Sequence, residues 1–378
     1  MAAGAYDVAV VGAGVIGLAH ALAAARSGAR VIVIDRDAQA NGASIRNFGL
    51  ITVTGQQRGD LWRLARRTRD VWSEIAGPAG IAIESHGLAM LAQRPEAAAV
   101  LEAFAGTEMA EDAEWIPGSQ AAEHVEPLQP AKLSGVLLAR PDLRVDSRLA
   151  IPALAKWLVD SQGIEIRRGV AVLRVEPGRL ETTIGEIAAQ AVVVCPGDDL
   201  ASLYPDRLAG LRRSKLQMLR LAPPPWRTPW SFMSDLSLVR YAGYAALPEA
   251  AALRTRLAAE RPDHLANGVH LIAVHNSDGS LVVGDSHHYA ATPDPFRSAE
   301  VDDLILDEFQ RVTGWAPPPV LERWTGTYAS GPDQFVVDTP AGGVRLVTIT
   351  NGVGASIAFG LAERVMSDLL ATEGEELG

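Results

Sequence analysis

The first residues that offer chemistry are glycines. Gly12, Gly14 and Gly17 stand in G-x-G-x-x-G spacing directly after the apolar run Val8-Ala-Val-Val11. A helical pattern follows, then the apolar run Val31-Ile-Val-Ile34, which ends on Asp35. The order is strand, turn, helix, strand, acid. In that setting Gly12 permits a tight turn, Gly14 lets the backbone approach a pyrophosphate, and Gly17 lets helix and strand pack closely. The helix start presents unpaired N–H groups and a positive dipole end to phosphates. Asp35, eighteen residues past Gly17, is placed to accept both hydroxyls of an adenosine ribose. The chemistry expected is dinucleotide binding. The competing reading is a glycine-rich turn in an ordinary βαβ unit, and the acid in its place argues against that.

A second glycine turn, Thr350-Asn-Gly-Val-Gly-Ala-Ser356, lies between an apolar run and a helical pattern. A helix start there suits a flavin, because its positive end can stabilise charge at the pyrimidine edge. It is equally readable as a plain helix cap.

The bulk properties set limits. At 378 residues the chain exceeds one typical core, so two domains are expected. A net charge of -11 repels phosphate backbones and argues against nucleic acid as a partner. It leaves room for an anionic small substrate in a locally basic pocket. The single cysteine, Cys195, rules out an intrachain disulfide and a cysteine metal site. A reducing, cytoplasmic location is expected. No signal peptide is expected, because the nucleotide pattern starts within a few residues. The apolar stretch 8–25 is explained by its fingerprint, so no membrane span is expected.

These groups need elements to position them. Residues 36–59 are polar and Gly-rich, a loop facing the cofactor. Helices are expected over 60–77, with Asp60 as N-cap, and over 95–104. Residues 81–91 suggest two short strands broken at His86-Gly87, 115–130 is turn-rich, and 133–138 is a strand. Asp146 opens a helix to about 161, which Gly163 ends. Strands follow at 164–167, 171–176 and 179–184. Residues 191–195 are wholly apolar, as in the middle of a parallel sheet. Pro223-Pro-Pro225 marks a boundary. Beyond it, 237–244, 270–275 and 280–285 read as antiparallel strands, with a helix over 298–313. The strand 344–349 and a helix over 356–370 close the chain. The fold class is therefore α/β: a doubly wound Rossmann-like nucleotide domain with an α+β antiparallel-sheet substrate domain. The first is assembled from 1–80, 145–222 and 321–378, the second from 81–144 and 223–320.

Taken in order, the fingerprint, the helix at 146–161, the strand ending Val192-Val-Val-Cys-Pro-Gly197, the segment 324–340 and the Gly352/Gly354 turn resemble a known superfamily. It is that of the FAD-dependent glycine, D-amino-acid and sarcosine oxidases, and the resemblance covers nearly the whole chain. It implies FAD, a sheet that roofs the substrate, and oxidation of a C–N bond. It places Gly12, Gly14, Val15, Ile16, Gly17, Asp35 and Arg36 at the FAD. Ser44, Arg46, Asn47 and Phe48 join them from the following loop. Val170, Cys195 and Gly197 come next, then Gly352, Val353, Gly354 and Ser356.

Three further stretches are similar to a subgroup associated with phosphonate catabolism: Ala43-Ser-Ile-Arg-Asn-Phe-Gly49, Gly284-Asp-Ser-His-His-Tyr289 and Trp324-Thr-Gly-Thr-Tyr328. That likeness implies an aminophosphonate substrate related to 2-aminoethylphosphonate. The chain also departs from its relatives. Sarcosine-type relatives attach flavin through a cysteine near the C-terminal region. Cys195 belongs near the adenosine end, so noncovalent FAD is expected. Relatives often carry Glu at Asp35 and a small residue at Cys195.

Flavin amine oxidation asks the protein for orientation and anion clamps more than for a catalytic triad. Molecular oxygen or an electron carrier then takes the electrons. Arg46 can clamp a phosphonate or carboxylate, or hold loop carbonyls. Asn47 can bond flavin or substrate, or serve a turn. Arg240 and Tyr241 stand on an expected strand, whose alternation would put them on opposite faces. Related oxidases use an Arg and a Tyr from that sheet on the substrate carboxylate, and the competing, slightly favoured reading of Arg240 is solvated surface. Asp285 and His287 share a strand face beside His288. His287 can carry positive charge near an anionic substrate or tune reduced flavin, or it is a surface or capping His. Two ligands are too few for a metal, so none is expected. Lys215 and Gln217 precede the domain crossing, and related oxidases use a Lys near flavin N5 for the oxygen reaction. Trp324 and Tyr328 line the site or join the core. The competing functions are a general amino-acid or N-methyl amino-acid oxidase, a flavin 2-hydroxy-acid dehydrogenase, and a flavin-binding scaffold without turnover.

Overall fold

Side-chain alternation in the first two strands explains the architecture. Val8, Val10, Val31 and Val33 pack into one buried cluster, while Ala9, Ile32 and Ile34 pack into another. Strands buried on both faces belong inside a parallel sheet. The computed structural model describes residues 6–376. In it β1 (Tyr6–Val11) lies between β2 (Val31–Asp35) and Gly185–Val194, parallel to both. The sheet runs Phe335–Asp338, Val344–Ile349, Gly185–Val194, β1, β2, Glu165–Arg168, with the hairpin Val172–Glu176/Arg179–Thr182 at one side. α1 (Val15–Arg26) packs against the helix Gly354–Glu376, which packs in turn on Asp60–Ala76. Trp72 of that last helix is buried edge-on against Phe359.

A second sheet of ten strands stands beside the first. Ile83–Ala92 and Gly135–Val145 pair antiparallel within it. Ser231–Ser234 joins Ile83–Ala92 to Ile272–His275, and Leu281–Gly284 follows. Arg212–Leu221 then carries Val320–Ser330 and His288–Ala290. The helix Ala299–Thr313 covers this sheet, burying Ile305, Phe309 and Val312 with Phe232 and Leu219. The α/β class with a parallel and an antiparallel sheet is as expected from sequence. Among the described residues no helix is long and apolar enough to cross a membrane.

Several elements differ from their sequence expectations. The region 237–244 is not a strand. It is a 3-10 turn, Asp235–Val239, followed by the short helix Ala242–Ala245. Gly243 makes this possible, because a Cβ there would run into the Gln56 carbonyl. Residues 81–91 form one strand, Ile83–Ala92, whose register shifts between His86 and Leu88. The stretch 115–130 contains the strand Ala113–Pro117 and the helix Gly118–His124. Helices Ala250–Glu260 and Pro262–Ala266 were not foreseen. Gly59, not Asp60, caps the helix that begins at Asp60. Strands 212–221 and 320–330 hydrogen bond in the ten-stranded sheet. The sequence boundaries at 222/223 and 320/321 assign the first strand to the nucleotide domain and divide the second at its first residue.

Candidate active site

The Gly-rich turn after β1 opens into a cavity of about 790 Å³ that runs between the two sheets. Gly12 has φ +101, and a Cβ there would strike the Cys195 carbonyl. A Cβ at Gly17 would strike the Gly12 carbonyl, so turn and helix close only around glycine. Gly14 caps α1 with no side-chain hydrogen bond. Val15 N–H donates to Ser44 Oγ at 2.9 Å, tying the helix start to the following loop. Asp35 accepts from Ala13 N–H at 2.6 Å and Asp37 N–H at 2.8 Å. A carboxylate has about four acceptor sites, so about two remain for a ligand.

Gly12, Gly14, Val15, Ile16 and Gly17 line the cavity, as do Asp35, Arg36, Val170, Cys195 and Gly197. Ser44, Arg46, Asn47 and Phe48 line it from the loop. Gly352, Val353, Gly354 and Ser356 line it from the C-terminal turn, where Gly354 begins the last helix. Two helix starts therefore share one elongated space. That matches a dinucleotide with phosphates at one helix start and a flavin edge at the other. Burial pushes the Cys195 thiol above its ordinary range, which makes it a poor nucleophile.

A further part of the lining comes from two strands of the ten-stranded sheet and the segments that connect its strands. Arg240, Tyr241, His270, Asp285, His287, Tyr289 and Tyr328 all belong to it. Because Arg240 follows a 3-10 turn, strand alternation does not separate it from Tyr241, and both side chains contribute to the wall. Arg240 Nη2 donates to Tyr289 Oη at 3.1 Å and to Tyr328 Oη at 3.4 Å. Among the described residues its hydrogen-bond partners include no carboxylate. Burial works against its charge, but Tyr328, Tyr289 and Asp285 outweigh burial and hold it above its ordinary value. Burial pushes Tyr328 up to about 12 and raises Tyr241 further, so both stay neutral donors.

His270 was not foreseen here, because it is distant in sequence from the Asp285 cluster. It comes from the neighbouring chain segment, where its backbone exchanges hydrogen bonds with that of Asp285. Its Nε2 lies 3.1 Å from Asp285 Oδ1, and His287 Nε2 lies 3.6 Å from Asp285 Oδ2. Sequence adjacency joins only two of these groups, Asp285 and His287. The fold brings three candidate ligand atoms within 4.8 Å of one another. Burial, partly opposed by Asp285, lowers His287 to about 3. The expectation of a charged His287 is therefore corrected: it is a neutral imidazole at ordinary pH. Burial also opposes the Asp285 charge, but the His270 ring and the Arg240 guanidinium beside it hold the carboxyl below its ordinary value.

Other candidates fall elsewhere. Lys215 does not line the cavity. Its Nζ bonds Asp294 Oδ2 at 2.9 Å and the carbonyls of Asp294 and Phe296. It sits on Arg212–Leu221, whose pairing turns it to the 291–298 loop. Asn47 is committed to a turn: its Nδ2 donates to Ala43 O, and its Oδ1 accepts from Gly49 N–H and Ser147 Oγ. Arg46 lines the cavity while donating to Asn41 Oδ1 at 2.8 Å and to Thr325 O at 3.4 Å. His288 bonds Asn267 Oδ1 outside the cavity. Trp324 donates to Arg46 O and stacks under Arg148, so it supports the loop.

The fold is shared with solved enzymes. Glycine oxidase from Geobacillus kaustophilus superposes with a TM-score of 0.76 at 20% identity, covering 98% of this chain and 95% of that one. L-proline dehydrogenase from P. horikoshii gives 0.77 at 18% identity, covering 98% and 94%. Iminodiacetate oxidase from Chelativorans sp. BNC1 gives 0.70 at 20% identity, covering 97% and 95%. No curated protein sequence matches the chain. Residues 7–368 match the DAO family, described as FAD dependent oxidoreductase. With two helix starts in one cavity, a glycine cradle at Gly12 and Gly17 and this match along nearly its whole length, the chain belongs to the DAO family of FAD-dependent oxidoreductases.

Proposed function

We propose that this enzyme oxidises the C–N bond of a small anionic amine, and that the substrate is an aminophosphonate related to 2-aminoethylphosphonate. The observation that carries the reading is Arg240. It is cationic, lines the cavity, and converges there with the hydroxyls of Tyr289 and Tyr328. A planar guanidinium with two hydroxyl donors suits the oxygens of a phosphonate. Arg46 adds a second cation to the same cavity.

FAD is held noncovalently in this reading. The glycine turn and the α1 start take the pyrophosphate, Asp35 takes the ribose, and the Gly352–Gly354 turn faces the flavin edge. Bound FAD supplies a hydride acceptor at N5, and oxygen or a carrier then takes the electrons. The protein orients the substrate C–H toward that acceptor and keeps water out of the cavity end.

A second reading has specific support. One arginine with two tyrosines also matches a carboxylate, and the enzymes of similar fold include a glycine oxidase and an iminodiacetate oxidase. An anaerobic titration of the flavin absorbance separates the two. Bleaching by 2-aminoethylphosphonate, its 1-hydroxy derivative or its N-methyl derivative, but not by glycine, sarcosine or D-alanine, supports the phosphonate. The reverse pattern supports an amino-acid oxidase. A flavin that no amine bleaches overturns both.

A further inference from the structure

Asp285 stands apart from the other acids of the cavity. Asp35 organises the nucleotide turn, Asp199 pairs with Arg36, and Asp198 accepts from Thr327 Oγ1. Asp285 lies at the opposite end with Arg240, 4% exposed. Its Oδ1 is buried and has no aligned hydrogen-bond donor, although His270 Nε2 is only 3.1 Å away. A buried carboxylate oxygen without a donor is costly, so it marks a place for one.

His287 narrows the kind of donor that Asp285 suits. Its Nδ1 faces the carbonyl of Gly268 at 3.0 Å, and a carbonyl only accepts, so Nδ1 carries the hydrogen. The ring is neutral, which leaves a lone pair on Nε2. That lone pair faces Asp285 Oδ2 at 3.6 Å. Two acceptors confront each other across the cavity wall. His270 is fixed in turn by Ser237 Oγ at its Nδ1, 3.0 Å away. These acceptors suit a donor with several N–H groups and a positive charge.

We infer that Asp285, with His287 and His270 at its sides, seats the amine nitrogen of the substrate while Arg240, Tyr289 and Tyr328 hold its anionic end. This rests on the proposed oxidation of an anionic amine and adds the group that selects the amine. The seat prefers an ammonium to a hydroxyl, because a carboxylate and a bare imidazole nitrogen both demand donors. A divalent metal fits less well, because the cationic Arg240 stands beside the same carboxylate. The seat also has a kinetic consequence. The amine must be neutral when hydride leaves carbon, and a neighbouring carboxylate favours the ammonium. The groups that face Asp285 are His270, His287, Arg240, Tyr241 and Tyr328. Of these, Arg240 opposes the effect.

The test compares the FAD-loaded enzyme with Asp285→Asn. Wild type should bind 2-aminoethylphosphonate at least about tenfold more tightly than ethylphosphonate, the same anion without the amine, by perturbation of the flavin spectrum before reduction. In Asp285→Asn that preference should fall to about twofold or less, with ethylphosphonate binding unchanged or tighter. The limiting rate of flavin reduction should also reach its plateau at lower pH in the variant, because the bound ammonium loses its counter-charge. Glycine against acetate is the matching pair if amino acids prove to be the substrates. Equal binding of both ligands by wild type overturns the seat, and so does an unshifted plateau. An amine preference that chelator abolishes assigns the cluster to a metal and also overturns it. If Asp285→Asn retains no FAD, the wild-type comparison and His287→Gln decide. A retained amine preference with no flavin reduction would sink the oxidase reading and leave the seat standing.

Discussion

The Arg240 guanidinium donates to the Tyr289 hydroxyl at 3.1 Å, joining residues 49 positions apart at the end of the cavity. Neither residue is held by a carboxylate within that contact, so the pair is open to an external anion. Its geometry depends on the bend after Asp235–Val239, which aims Arg240 across the sheet.

Arg240→Lys should therefore keep FAD but lose the substrate. Loss of a bidentate donor is worth about 1.5–3 kcal/mol, or roughly 10- to 150-fold in kcat/KM. Arg46→Ala should cost less, because two of its donors already bond Asn41 and Thr325. Steady-state kinetics with flavin content measured in parallel checks both. Equal losses in the two variants would refute the ranking.

Tyr328→Phe removes one hydroxyl from the same cluster. The expected effect is a rise in KM of about 3- to 10-fold, from one hydrogen bond of about 0.5–1.5 kcal/mol. The flavin spectrum should be retained. A loss of bound FAD instead would place Tyr328 in cofactor support, consistent with its ring lying against Gly352.

Gly17→Ala should abolish FAD binding and destabilise the fold. The added methyl meets the Gly12 carbonyl, a backbone atom that cannot swing aside. Overpacking of this kind costs about 1–3 kcal/mol or more. Gly14→Ala should be milder for the fold, because its methyl would meet the Ser44 side chain, with Oγ at 3.0 Å, while still weakening FAD at the pyrophosphate. Thermal unfolding and absorbance of the purified variants give the comparison.

Acid should destabilise the protein in a defined window. Burial lowers His20, His264 and His275 to about 4 and His287 to about 3. The unfolded chain binds these protons near pH 6.5, so the stability is fully present above that pH. It is lost as pH falls toward 4, by about 1.4 kcal/mol per unit for each histidine. Asp142 and Glu308, raised by burial to about 7, act in the opposite direction and partly cancel this loss. His20→Leu isolates one contribution. Its unfolding free energy should fall less steeply than wild type between pH 6 and 4.5, by about 1.4 kcal/mol per unit. Urea melts at several pH values measure the slope, and parallel slopes would refute the assignment.

Local rules carried much of this fold. The parallel core was legible because Val31–Ile34 and Ala191–Val194 are apolar at every position, which only a doubly covered strand tolerates. The helix from Ser147 was legible because Asp146 caps it, accepting from Arg148 N–H at 3.0 Å, and Gly163 ends it in the left-handed region. The turn at 237–244 was not. Its apolar spacing imitates a strand, and the cause of the bend is Gly243 packed on Gly55, a contact made across the chain. His270 was hidden for a related reason. Its neighbours in sequence are apolar, and only sheet pairing brings it to Asp285. Lys215 misled because its charge is absorbed by a loop some eighty residues away.

The cavity wall draws on both halves of the chain, and that sets a timetable for biosynthesis. The fingerprint turn at Gly12–Gly17 emerges from the ribosome before the other walls of the cavity. Its parallel neighbour Gly185–Val194 comes much later, and Val344–Ile349 with the Gly352–Gly354 turn later still. A nascent chain can therefore form the first βαβ unit long before a complete berth for FAD exists. Cofactor loading must wait until the helix that begins at Gly354 has been made, because that helix closes the berth against α1.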